Sequence, residues 1–299
     1  MTTKRQAAVL GAFVADALSL GVHWVYNTGV IDKKFGRVEH YYDPLTSFHK
    51  GKRAGDFTHY GDQMLVLLEA LGKEKGFDAQ RFAQSWWDFF SDYTGYFDKA
   101  TKATLENMAS GREPTQSASD SDDLAGASRM APLVGLYGDD LDQLVRSARS
   151  QTAITHGDDR VIESADFFAR TVFAILNGKE PVLAMESTLN DHFADSDIAP
   201  LAHMGLESKD RDTRETIAEF GQMCSVEVGL PGAVHLVARH GGDFKTAMIE
   251  NVMAGGDSSA RGMLAGMVLA AAHGMEAIPD EWISGLNAGE RIRSLLDRL

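Results

Sequence analysis

The chain has 299 residues, with 29 basic and 43 acidic side chains, a formal charge of -14, and 44% hydrophobic and 9% aromatic residues. This is the composition of a folded, soluble protein. Its acidity disfavours nucleic acid and anionic membrane as partners, because affinity for both comes from Lys and Arg neutralising phosphate. The longest small-apolar run, residues 263–272, is too short to cross a bilayer, which takes roughly 20 residues. The length permits one large domain or two small ones. With only 7 prolines and no Pro-, Gly- or Ser-rich tract to act as a linker, a single domain over residues 1–299 is expected.

Val9, Leu10, Phe13, Val14, Ala17 and Leu18 recur at three- and four-residue spacing and predict an N-terminal helix. Asp16 breaks its apolar stretch, which argues against a secretory signal and for a cytoplasmic protein. Met64, Leu65, Leu67, Leu68 and Leu71 predict a second helix. Phe82, Trp86, Phe89, Phe90 and Tyr93 predict a third, whose aromatic stripe reads as core. Further helical periods cover 141–149, 161–176, 214–220, 244–253 and 260–273, and residues 225–236 are ambiguous. Strand alternation is never sustained, so the expected class is all-α. Two polar stretches, 110–123 and 191–212, read as surface loops. Cys224 is the only cysteine, which excludes an internal disulfide and fits a reducing compartment; its simplest reading is a small core residue outside any site.

Four polar clusters fall at helix junctions. The first is Asp16 with His23, Trp24, Tyr26 and Asn27; burying Asp16 unpaired is costly, so it needs donors, and a core network is its plainer role. The second, Thr58, His59, Tyr60, Asp62 and Gln63, opens the helix that carries Met64. Exposed N–H groups there favour anions, although Asp62 reads equally as a helix cap. In the third, Thr155-His156-Gly157-Asp158-Asp159-Arg160, the aspartates suit capping and His156 is the functional candidate. The fourth places Asp257, Ser258, Ser259 and Arg261 after Gly255 and Gly256 at the start of a small-residue helix.

These residues resemble the ADP-ribosylglycohydrolase family, and within it the branch that holds jellyfish J1 crystallins and selenoprotein J. Residues 11–19 are similar to the family's opening Gly-x-x-x-Gly-Asp-Ala-Leu-Gly helix, with Ala15 and Ser19 at two glycine positions. Ala125-Gly-Ala-Ser-Arg129-Met-Ala-Pro132 resembles its Asn-Gly-Ala-x-x-Arg-x-x-Pro segment. Thr155-His156 and Ala254-Gly-Gly-Asp-Ser-Ser259 follow in the family's order, while His23-Trp24-x-Tyr26 and Tyr60-Gly61-Asp62-Gln63 look like the crystallin-like branch. The resemblance covers nearly the whole chain and implies a compact all-α domain of many helices around a central cleft.

In active members, the resemblance implies, two Mg²⁺ ions are held by a Thr-Asp-Asp run and an Asp-x-Asp-Thr run while an ADP-ribosyl bond is cleaved. Here His59, Tyr60 and Gly61 stand where the first run should lie, so both of its carboxylates are missing. In the second run Asp257 matches, but Ser259 and Ala260 replace the second aspartate and the threonine, and His23 stands at a further acidic position. The expected site is therefore metal-free. The alternatives are one weakly held divalent ion on Asp257, Asp62 and Ser259, or Zn²⁺ on His23, His59 and Asp257. The leading expectation is a hydrolase of a glycosidic or related bond, with His23, His59, Asp62 and Asp257 doing acid–base work. Asp16, Trp24, Tyr60, Gln63, Arg129, His156, Ser258, Ser259 and Arg261 would hold a small anionic, nucleotide-like molecule. The alternative is a noncatalytic ligand-binding or crystallin-like structural protein.

Overall fold

In the computed structural model, which describes residues 3–299, the N-terminal period becomes helix α1, Lys4–Leu20. Thr3 caps it by accepting from the Gln6 N–H, while the Gln6 side chain accepts from the Thr3 N–H, a reciprocal pair that satisfies two exposed donors. Helix α2, Thr28–Phe35, follows a turn and is capped by Asn27. Helix α3, His59–Glu74, carries the second predicted period, and its cap is Thr58, not Asp62. The aromatic stripe forms α4, Ala79–Ser91, with Phe82, Trp86 and Phe90 buried as expected of core residues. Helix α5, Lys99–Ala109, is capped by Asp98.

Residues 110–123 are mostly irregular, but they are not all surface: Ser119 and Asp123 are buried. Short helices α6, Ala125–Ser128, and α7, Ala131–Tyr137, lead into α8, Leu141–Ala153, and α9, Asp159–Leu176, which Asp158 caps. Helix α10, Pro181–His192, precedes a further departure from expectation. The polar stretch 191–212 contains a helix, α11, Ile198–Glu207, whose Ile198, Ala199, Ala202 and Leu206 are buried. Polar flanks on both sides dilute this four-residue apolar period, so composition alone reads the stretch as loop.

Helix α12, Thr213–Phe220, is followed by α13, Val226–His240, which settles the ambiguous segment as helix. Pro231 inside it, with Gly229 and Gly232, lowers its local helical preference; burial on both sides of Pro231 supplies what propensity lacks. Helices α14, Phe244–Met253, α15, Ser258–His273, α16, Asp280–Ser284, and α17, Gly289–Leu296, complete the chain. Among the described residues there is no strand, only three isolated bridges, and no helix is long and apolar enough to cross a membrane. The fold is all-α.

Helices α1 and α15 form the most extensive helix pair, with α3, α7, α9, α13 and α14 around them. Buried side chains from α1 through α17 join one continuous apolar cluster. Both central helices present a polar end to the same place: Asp16, Ser19 and His23 from α1 and its C-terminal turn, and Asp257, Ser258 and Ser259 from the start of α15 are all buried there.

Candidate active site

The loops that bear the polar clusters are stitched together by their backbones. Val25 bridges to Gly256, Ser119 to His156 and Asp123 to Ser225. The Trp24 N–H donates to the Gly256 carbonyl at 2.9 Å, and the Gly256 N–H returns to the Val25 carbonyl at 2.9 Å. Gly256 has φ of 67°, and a Cβ there would lie 2.3 Å from the Gln222 carbonyl oxygen, so glycine alone lets the turn pack so closely. Trp24 also has a positive φ, 62°, which is a strained conformation for a bulky side chain. Its bond to Gly256 and its ring contacts hold it there: His23 at 4.4 Å, Tyr96 at 5.0 Å and His49 at 5.3 Å between centroids.

Beside Trp24 opens a cavity of about 370 Å³. Its lining combines four aromatic rings, Trp24, Tyr26, Phe48 and Tyr96, with three carboxyl groups, Asp98, Asp122 and Asp123, and with Lys99, Ala100, Ser121 and Cys224. This volume suits a small molecule. Beneath Asp123 lies Asp257. The Tyr60 hydroxyl sits between them, 2.9 Å from Asp257 Oδ2 and 3.4 Å from Asp123 Oδ2. Asp123 Oδ1 accepts from the Ala125 N–H at 2.9 Å, and Asp257 Oδ1 accepts from the Ala260 N–H at 3.2 Å, capping α15.

Burial, then the charge of Asp257 and then that of Asp98, push the Asp123 carboxyl well above the usual carboxylate range. Asp257 is raised as well, again chiefly by burial, with Arg261 and Tyr60 opposing. The pair therefore gives up its protons at higher pH than ordinary carboxyl groups do. Asp98 goes the other way. Burial acts to raise it, but His59 and the hydrogen bonds from Thr101 outweigh burial and keep it below the ordinary range, so it is ionised at neutral pH.

The expected residues fall into three groups. Asp16 is a core-network carboxylate: it accepts from the Thr58 N–H at 2.9 Å, the Thr58 hydroxyl at 2.6 Å and the Ser259 hydroxyl. Desolvation outweighs these bonds and raises it to about 6. His23 and His59 lie buried behind the aromatic rings, not in the cavity lining. Their Nδ1 atoms are 3.9 Å from Asp257 and 3.7 Å from Asp98, and burial lowers both below the usual imidazole range. Gln63, Arg129 and His156 form a second buried group. Arg129 donates to Gln63 Oε1 and to Thr155 Oγ1, Trp86 Nε1 donates to the same Gln63 oxygen at 2.8 Å, and Thr155 Oγ1 lies 2.9 Å from His156 Nδ1. Arg261 Nη2 donates to the Gly255 carbonyl at 2.7 Å, and Ser258 is buried beneath the same turn, where its carbonyl accepts from Asn251 Nδ2 at 2.7 Å.

Two expectations change on these positions. Neither Arg129 nor Arg261 lines the cavity: their guanidiniums donate inward to Gln63, Thr155, Asn251 and the Gly255 carbonyl, while Arg129 Nε and Arg261 Nη1 are buried without a partner. Asp62 stands apart from Asp257. It takes Lys52 Nζ at 2.6 Å and the Tyr93 hydroxyl at 2.7 Å, and lines a different cavity with Gly55, Phe57 and Arg291. Conversely, Cys224 is not a core residue but lines the aromatic cavity, and burial raises its thiol. Asp98, Asp123, Phe48, His49 and Tyr96 were not expected. The signal for the two carboxyls was their place just before a helix, Asp98 three residues ahead of Thr101 and Asp123 two ahead of Ala125.

The family's two Mg²⁺ ions do not fit these residues. Asp16, the carboxylate nearest the first metal run, already accepts three hydrogen bonds from Thr58 and Ser259. Among the described residues, the one group of three potential ligands with convergent atoms is Asp123, Cys224 and Asp257, all within 4.8 Å of one another. A thiol in that set is foreign to Mg²⁺. The proposed combinations of His23, His59 and Asp257, or of Asp62, Asp257 and Ser259, do not converge.

The all-α fold, in which Asp16 of the first helix accepts from Ser259 of the Asp-Ser-Ser turn behind this cavity, agrees with the ADP-ribosylglycohydrolase class. The family's sequence model matches residues 2–299, and the chain belongs to this family. Its relatives include Crystallin J1A of Tripedalia cystophora, 26% identical over 99% of this chain and 96% of the crystallin. An uncharacterized protein of Archaeoglobus fulgidus is 27% identical over 100% of this chain and 96% of its own. A solved structure described as an ADP-ribosylglycohydrolase-related protein complex superposes with a TM-score of 0.79 over 99% of this chain and 96% of that chain. At 24% identity this is a likeness of fold.

Proposed function

We propose that this chain is a hydrolase that cleaves a glycosidic or related bond of a small molecule in the Trp24–Asp123 cavity, using its own carboxyl groups instead of two Mg²⁺ ions. The observation that carries the reading is the pair of cavity carboxyls, Asp98 and Asp123, whose surroundings drive their protonation apart. Such a divergence assigns an acid and a base. Protonated Asp123 gives its proton to the leaving atom as the bond to the sugar carbon breaks. Ionised Asp98 takes a proton from the water whose oxygen bonds to that carbon, and exchange with solvent then restores both groups. Asp257 and Tyr60 act through Asp123 as positioning residues that keep its proton on.

Steady-state turnover of a panel of ribosyl substrates tests this. Asp123→Asn is expected to lower kcat by about 10²- to 10⁴-fold, the usual range for a lost acid, with the unfolding midpoint preserved because Asn still accepts from Ala125. A rate equal to wild type would remove Asp123 from the chemistry. Asp257→Asn retains the helix cap but deletes a negative neighbour, so the Asp123 proton is lost more easily and the basic limb of the pH–rate profile moves to lower pH. The crystallin relatives support a second reading, a noncatalytic ligand-binding protein; saturable binding without turnover on any substrate of the panel would decide for it.

A further inference from the structure

We propose that the cavity selects an organic cation, a positive charge spread over an apolar, ring-like body, in preference to an anion such as a nucleotide. This rests on the reading above for the site and adds the class of ligand. Aromatic faces attract cations through their quadrupoles, and a carboxylate beside them makes the preference stronger in a partly desolvated space. Both kinds of group meet here: Trp24, Phe48 and Tyr96 with the carboxylates of Asp98 and Asp122. The three rings pack edge to face, with centroids 5.0 to 5.4 Å apart, and Phe48 is half exposed at the mouth.

Cations are scarce in this lining. Arg129 and Arg261, the two buried guanidiniums nearby, are turned inward to Gln63, Thr155, Asn251 and the Gly255 carbonyl. Lys99 is the single basic residue among the lining residues, and it is exposed, so its ammonium stays hydrated. A phosphate brought into this cavity would face the carboxylates of Asp98 and Asp122 with no buried cationic side chain among the lining residues. The formal charge of -14 adds a long-range attraction for cations.

Isothermal titration of the full chain with 1-methylnicotinamide, its neutral counterpart nicotinamide, and ADP-ribose separates the terms. The cation is expected to bind about tenfold more tightly than nicotinamide, and ADP-ribose more weakly than either. Phe48→Leu keeps an apolar surface but removes a π face, and Asp122→Asn removes a charge; each is expected to reduce the preference while leaving the unfolding midpoint in place. Equal affinity for the cation and nicotinamide, tighter ADP-ribose binding, or no binding of either nicotinamide at millimolar concentration would overturn the inference. The two readings fail separately: turnover without a cation preference sinks this one alone, and a cation preference without turnover sinks only the hydrolase.

Discussion

Buried titratable groups without counter-ions are the residue-scale signature of this protein, and His49 isolates the effect. Burial, with His23 and His59 adding to it, lowers His49 to about 2, and its Nε2 has no hydrogen-bond partner among the described residues. An unfolded His49 titrates near 6.5. Below that pH the unfolded chain binds a proton that the folded chain refuses, so His49 takes stability away as pH falls through 6.5 and continues to do so toward 2. Asp16 works in the opposite sense. Its folded value, about 6, lies above the 3.8 of an ordinary aspartate, so the folded chain holds the extra proton between those values and loses that advantage as pH rises. Comparing wild type with His49→Leu removes the shared background. Between pH 7 and pH 5 the wild type is expected to lose about 2 kcal/mol more than the variant in urea titrations, from about 1.5 pH units at 1.36 kcal/mol each. Parallel losses in the two proteins would mean that His49 is hydrated or paired in solution.

At the scale of elements, the contact between α1 and α15 sets the geometry from which the site hangs. A Cβ on Gly11 would come within 2.6 Å of the Gly266 carbonyl oxygen and of Ala270 Cβ, and one on Gly266 within 2.7 Å of the Gly11 carbonyl oxygen. Backbone cannot yield there without moving Asp16 away from Ser259. Gly11→Ala is therefore expected to destabilise by about 1–3 kcal/mol, the cost of overpacking, and to lower the affinity of the cavity as well. Gly242→Ala is the control, because nothing lies within 4 Å of its Cβ and its expected change is within about 0.5 kcal/mol. Equal denaturation midpoints for the two variants would show that the helices can separate at little cost. The helices legible in the sequence are those whose apolar period is long, as in α1, α3 and α9. Helices α2, α5, α6, α7, α10, α16 and α17 are not read from the sequence, nor is α11, and α13 is left open; in α11 the period is short and in α13 there is an internal proline, so tertiary burial decides those two. The small residues of α15 announced close packing, but periodicity could not say that α1 was the partner.

For the whole molecule, the site is a meeting of segments distant in sequence: residues 24, 26 and 48, 96 and 98 to 100, 121 to 123, and 224 all line one cavity. The resemblance supplied the architecture, and the residues at the helix ends supplied His23, Trp24, Tyr60 and Asp257. The sequence concealed which charged groups face inward, since a buried structural arginine and a ligand-binding one have the same local pattern. Asp98 and Asp123 likewise look like ordinary caps until the loops close around them. Because the walls come from across the chain, a ligand in this cavity must stabilise the global fold by RT ln(1 + [L]/Kd), and not a local segment alone. Thermal unfolding with 1-methylnicotinamide or ADP-ribose, crossed with Mg²⁺ and with chelator, tests the electrostatics of the whole assembly. The cation is expected to raise a single transition equally with Mg²⁺ or chelator present, since Asp16 is closed by Thr58 and Ser259 and the remaining convergent set contains a thiol. A shift that appears only with Mg²⁺ would require Asp16 to leave those hydroxyls and turn toward Asp257, and the metal-free assignment would fall with it.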